Sequence, residues 1–133
     1  MTTGTLGILI VGHGSKMPYN RQLIEHMSER ISNQFPGAVV RAGFMNVNKP
    51  TIVEALAEFK DTAVTEIVVF PLFLERGVHV IEDIPGLLGL EHGKSEGQYG
   101  GIKVRYAEPL GIDELLVQLV SKRISQACMP TVS

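Results

Sequence analysis

Two periods of hydrophobicity alternate along the chain. Leu6-Gly7-Ile8-Leu9-Ile10-Val11, Ala38–Met45, Glu66–Leu74 and Ile102-Lys103-Val104-Arg105-Tyr106-Ala107 are short apolar runs rich in β-branched residues, the pattern of strands in a sheet. Between them, apolar residues return at helical spacing. Leu23, Ile24, Met27 and Ile31 mark a first helix ended by Pro36-Gly37, with Pro18 near its start. Ile52, Leu56 and Phe59, with Val53 beside them, mark a second, opened behind Pro50 by the capping-box pair Thr51 and Glu54. Leu115, Leu116, Leu119, Val120 and Ile124 define a last one. Any helix between the third and fourth strands should begin within about one turn of Pro85, because an interior proline costs ~3 kcal/mol. That leaves His79 in the loop or at the helix start.

Strand and helix thus alternate four times, which predicts an α/β fold: a doubly wound, four-stranded parallel sheet with helices on both faces. Right-handed crossovers make 2-1-3-4 the expected strand order. Residues 1–133 read as a single domain whose tail, from Met129, is expected to fray. The segment from Glu91 to Gly101 holds glycines 93, 97, 100 and 101 together with Ser95 and Gln98, and by composition it is a mobile surface loop. The run that follows, Ile102–Ala107, alternates enough to be an edge strand.

With 133 residues the chain can bury a core without staples. Its net charge of −2 gives no field for general nucleic-acid binding. The first apolar run is too short for a membrane span or a signal peptide, and the single cysteine, Cys128, cannot build a disulfide framework. A cytoplasmic protein is expected, with no nucleic-acid or membrane partner.

The candidate chemistry follows two strands. The first opens into Gly12-His13-Gly14-Ser15 and the third into Glu75-Arg76-Gly77-Val78-His79. In the 2-1-3-4 order these strands are neighbours at the point where the winding reverses, the place where open α/β sheets bind ligands. Both imidazoles should then emerge at one edge. Imidazole suits cobalt, nickel, iron and zinc alike, so these residues do not choose among metals. Two ligands are too few for a structural site and fit a metal that arrives and departs. Imidazole can also take a proton near its reference pKa of ~6.5. Ser15 can offer its hydroxyl, and its loop backbone N–H groups, to an anion; its other reading is a turn or cap residue. Lys16, Arg41, Lys49 and Arg76 are cations for the same mouth, to meet substrate carboxylates. Glu82 and Asp83 suit the first turn of a helix. His26 and His92 read as solvated residues. No phosphate-loop, dinucleotide or nucleophile-elbow motif occurs. A hydrolase using Ser15 ranks last for want of a third triad member. A metal- or tetrapyrrole-binding carrier without turnover remains the alternative to an enzyme.

The strand before Gly12-His13-Gly14-Ser15, the run Pro71-Leu72-Phe73-Leu74 into Gly77-Val78-His79, the following Glu82-Asp83-Ile84-Pro85 and the later Glu108-Pro109-Leu110-Gly111 together resemble the small class II tetrapyrrole chelatases of the archaeal sirohydrochlorin type. The likeness spans nearly the whole chain. It implies a chelatase, flavodoxin-like fold and a homodimer with no permanent cofactor. It also implies a lyase that inserts a substrate metal, Co2+ or Ni2+, into sirohydrochlorin without ATP, on the route to cobalamin or to the nickel cofactor of methanogenesis. By the same likeness His13 is catalytic base and metal ligand and His79 the second metal ligand. Leu74, Glu75, Arg76, Gly77 and Val78 form the macrocycle-binding segment, and Lys49 is a further substrate contact. Leu72, Leu74 and Val78 would wall the ring. Some relatives carry glutamate where this sequence has Asn46 and Lys49, and some carry a histidine-rich insertion where it has only His92. A carboxylate in metal delivery, or metal storage in that loop, is not expected here.

Overall fold

A computed structural model describes residues 4–129. In chain order the elements are β1 (Thr5–Gly12), α1 (Tyr19–Gln34), β2 (Val39–Phe44), α2 (Ile52–Phe59) and β3 (Val64–Pro71). A π-helical turn, His79–Asp83, then runs into α3 (Ile84–Leu87), followed by β4 (Glu96–Tyr99), β5 (Ile102–Tyr106) and α4 (Glu114–Cys128). The sheet order is β2-β1-β3-β5-β4. Its parallel core, β2-β1-β3-β5, keeps the expected order.

The sheet has five strands, however, and the expected mobile loop supplies the fifth. β4 pairs antiparallel with β5, Tyr99 opposite Ile102. The link between them, Gly100-Gly101, takes φ of +54° and +83°, the left-handed pair that a two-residue hairpin turn requires. Composition pointed to a loop, but the Gly-Gly turn and the alternation of Gly97 and Tyr99 inward with Glu96 and Gln98 outward make a strand. Ile102–Tyr106 is consequently an interior strand, with Val104 fully buried.

Alternation along the strands divides the core between two faces. On one face Leu9, Val11, Ile67, Val69 and Val104 pack against α2 and against Ile84 and Leu88. α2 buries Ile52, Ala55, Leu56 and Phe59, and each of the larger three contributes about 2 kcal/mol by area. Its capping box forms as expected: Glu54 N–H donates to Thr51 Oγ1 at 3.1 Å and Thr51 N–H to Glu54 Oε1 at 2.9 Å. Val53 faces out. On the other face Ile8, Ile10 and Phe44 meet Ile24 of α1. α4 differs from every other helix longer than one turn. It forms where the periodicity placed it, yet it buries none of its residues, so the expected second helix on the α1 face is not in contact there. Met129 follows α4 without helical structure; the rest of the tail expected to fray lies outside the described residues. No described helix is long and apolar enough to cross a membrane.

Candidate metal-handling site

β1 and β3 are hydrogen-bonded neighbours whose ladder ends at Val11 opposite Pro71, and Leu72 N–H extends it to Val11 O at 2.9 Å. His13 leaves the sheet two residues past Val11. His79 returns to the same edge at the start of the π-helical turn. The two rings meet edge to face with centroids 4.9 Å apart, as the switch-point argument required. His13 is exposed and His79 partly so, which leaves both open to solvent.

The His13 loop is held by amides. Gly14 N–H donates to Asn20 Oδ1 at 2.9 Å and Ser15 N–H to Asn48 Oδ1 at 2.8 Å. Met45 and Asn46 donate their N–H groups to the carbonyls of Gly12 and His13 at 3.0 and 3.3 Å. Gly14 sits at φ +88°, and a Cβ there would lie 1.8 Å from the Asn46 carbonyl oxygen. Only glycine fits. The N–H groups of Gly14 and Ser15 are therefore already used and do not await an anion. Ser15 Oγ accepts from Met17 N–H at 3.1 Å, the turn role, while its hydroxyl proton stays free.

His79 is held differently. Its Nδ1 lies 2.7 Å from Asp83 Oδ2, one helical step on. A carboxylate only accepts, so Nδ1 carries the proton and Nε2 keeps its lone pair. His13 Nδ1 meets the Gly14 carbonyl at 3.0 Å, with the same consequence. Both rings are thus set in the tautomer that presents Nε2 outward, as partners behind metal-ligating histidines do. Asp83 is the functional residue that the sequence reading left as a helix-start charge. Its signal was the four-residue spacing from His79. The helical path begins earlier than Pro85 alone allowed. The π turn closes through Ile84 N–H to His79 O, and Pro85 falls at the beginning of α3, where its missing N–H is not needed. Single π turns recur at functional sites for this reason: they re-aim a side chain. From β5, Tyr106 OH donates to Val80 O at 2.7 Å and ties the turn to the sheet. Burial first, and the Glu108 carboxylate second, hold that phenol above its ordinary range, so it remains a donor.

Around the pair, Leu74, Val78 and Ile81 expose apolar surface, and Phe73 lies 6.4 Å from the His79 ring. Gly77 N–H bonds Glu75 O, which folds the segment between them into a tight bend. Arg76 makes two 2.7 Å hydrogen bonds to Glu108. That pair is exposed, worth at most ~1 kcal/mol, and exchangeable for another carboxylate. Lys49 lies 3.8 Å from Glu54, whose carboxyl is held below its usual range chiefly by the Thr51 backbone N–H. Two expected members do not join. Arg41 pairs with Leu9 in the middle of the ladder, not at its end. Leu72 packs on the α1 face with Phe70, because alternation turns it away from the ring side. His26 is exposed, as expected. His92 and Lys94 line a cleft of about 500 Å3 with Arg76, Ile81 and Glu82; neither imidazole of the pair borders it. Among the described residues no group of three or more His, Cys, Asp or Glu converges on a metal position.

An open α/β sheet with two exposed imidazoles at its switch point defines a metal-handling domain of the class II chelatase type. The CbiX family model matches residues 7–127, and the chain belongs to that family. It is 46% identical over 128 residues to the sirohydrochlorin cobaltochelatase of Methanosarcina acetivorans, covering 94% of this chain and 98% of that one. The corresponding protein of Methanosarcina barkeri is 44% identical over the same shares. Among solved structures, the sirohydrochlorin chelatase SirB of Bacillus subtilis subspecies spizizenii, in complex with cobalt, superimposes with a TM-score of 0.80 at 29% identity. The match covers 92% of this chain and only 50% of SirB; the chain spans about half the length of that relative.

Proposed function

We propose that this protein is a lyase that inserts cobalt or nickel into sirohydrochlorin without ATP, acting in the cytoplasm as a homodimer. The observation that carries the reading is the pair of imidazoles 4.9 Å apart, each with Nδ1 occupied and Nε2 free. Insertion requires the metal to shed water and two pyrrole N–H protons to leave the ring. Two neutral imidazoles can hold the metal through Nε2, and His13, the more exposed, is placed to accept a proton. The exposed Leu74, Val78 and Ile81 offer an apolar bed for the macrocycle. Arg76, by exchanging Glu108, together with Lys49, Lys16 and the Ser15 hydroxyl, would meet its peripheral carboxylates. Family membership and the cobaltochelatase relatives support the same substrate. Product on the cobalt branch feeds cobalamin; nickel would feed a nickel tetrapyrrole, as in methanogenesis.

The test follows the absorbance of sirohydrochlorin mixed anaerobically with Co2+, and separately with Ni2+, and the protein. His13→Ala and His79→Ala are each expected to slow insertion about 100-fold, the lower range for losing a positioned acid–base group. Near-normal rates in both would remove the proposal. Metal binding without any spectral change of the macrocycle would instead make the protein a carrier.

A further inference from the structure

We infer that α4 is exchanged between two copies of this chain, each copy's helix lying in an apolar groove of the other. The inference rests on the homodimer above only for the existence of a pair, and on nothing about chelation.

The two halves of the contact are both on this chain and both uncovered. α4 carries Leu116, Leu119, Val120 and Ile124 along one stripe, the pattern of a helix that faces a core. Yet it buries none of its residues, and Leu119, Val120 and Ile124 stay 45 to 59% exposed. The groove lies on the α1 side of the sheet. Ile8, Ile10, Val68, Phe70 and Leu72 are among its lining, with Met27 and Ile31 of α1 along one wall. Its volume is about 360 Å3 and no charged side chain lines it. α1 packs on β1 and β2, which leaves the strip over β3 and β5 bare on that face. Two strands span ~10 Å, the width of one packed helix. A doubly wound sheet places its last helix over that strip.

The chain's own α4 is steered away from it. Leu110 N–H donates to Phe73 O and Gly111 N–H to Leu74 O, which pins the linker at the carboxyl edge of the sheet. Ile112 is then fully exposed and Asp113 extended, with its side chain capping Leu115 N–H. Exposed apolar stripes of this size mark interfaces. A second copy supplies both missing parts at once, because a two-fold axis lets each helix fill the other's groove. The SirB match, in which this chain accounts for only 50% of the polypeptide, fits a body of this size that works beside another.

The test uses the full-length protein. A photoreactive benzoylphenylalanine replaces Ile124, and after irradiation the denatured product is sized and its peptides mapped. The expected result is a covalent dimer with α4 joined to α1 between Met27 and Phe35. In parallel, Val120→Lys with Ile124→Lys should halve the mass measured by light scattering while leaving the circular dichroism spectrum unchanged, since both side chains lie outside the body. A cross-linked monomer overturns the exchange, because α4 then occupies its own groove. Cross-links only between two α4 helices, or a double variant that stays dimeric, overturn it too and leave the homodimer standing. A parent protein that is monomeric at all concentrations removes both.

Discussion

The two imidazoles do the same work from unlike mounts. His13 rides on a loop fixed by backbone: Gly14 and Ser15 are clamped by Asn20 and Asn48, and the Asn46 carbonyl fills the space where a Cβ would be. His79 rides on a helical turn and is fixed by one side chain, Asp83. The first mount is shared among many hydrogen bonds, and no single side chain decides it. The second is concentrated in one contact and can be tuned by one substitution. The lesson is that a two-ligand site can be half rigid and half adjustable.

Substitutions at each mount separate these descriptions. Gly14→Ala should do the most damage. Its Cβ would overlap the Asn46 carbonyl oxygen at 1.8 Å and force a non-glycine residue to φ +88°, so the loop must shift by more than 1 Å. Displacement on that scale costs about 100-fold in rate. Insertion kinetics check the value; a rate within threefold of the parent would show that the loop yields.

Asp83→Ala comes next. Losing the carboxylate behind a ligating histidine typically lowers metal affinity 10- to 100-fold; with the pair nearly half exposed, about 10-fold is expected, read by cobalt titration. Thermal stability should hardly move, since exposed pairs contribute ~0–1 kcal/mol. A fall in melting temperature with unchanged cobalt affinity would make Asp83 a helix-start charge after all.

Thr51→Ala reaches the His13 mount only through α2 and the loop ahead of it, and should act least on the site. It removes the side-chain half of a capping box, worth about 1 kcal/mol of stability, while insertion stays within twofold. The same cap gives a pH signature. Because the Glu54 carboxyl is held below its usual range in the folded protein, its stabilisation is present above the unfolded value and lost as pH falls through the lower folded one. Acid unfolding of the parent and of Thr51→Ala should therefore converge toward low pH.

The same contrast explains what could be read in advance. The His13 mount is local: apolar strand, Gly-His-Gly, helix, all contiguous in sequence and all found in place. The parallel core came from the strand–helix alternation, and from it the meeting of the two rings. The Asp83 contact escaped because Pro85 argued against a helix around His79, and only a π turn reconciles the two. β4 escaped because polar residues and glycines read as loop, although Gly100-Gly101 is itself a hairpin turn. Arg41 and Leu72 were placed by chain proximity alone; register and pleat carry them elsewhere. The resemblance supplied the family and the substrate, which spacing could not.

The amide clamp on Gly14 and Ser15 also sets how the site behaves between turnovers. A loop shaped by its cargo relaxes when the cargo leaves and must be rebuilt for the next. This one takes its shape from Asn20 and Asn48, which belong to the fold and not to the visitor. The cost of ordering is met once, when the chain folds, and every round of loading begins from the same starting posture.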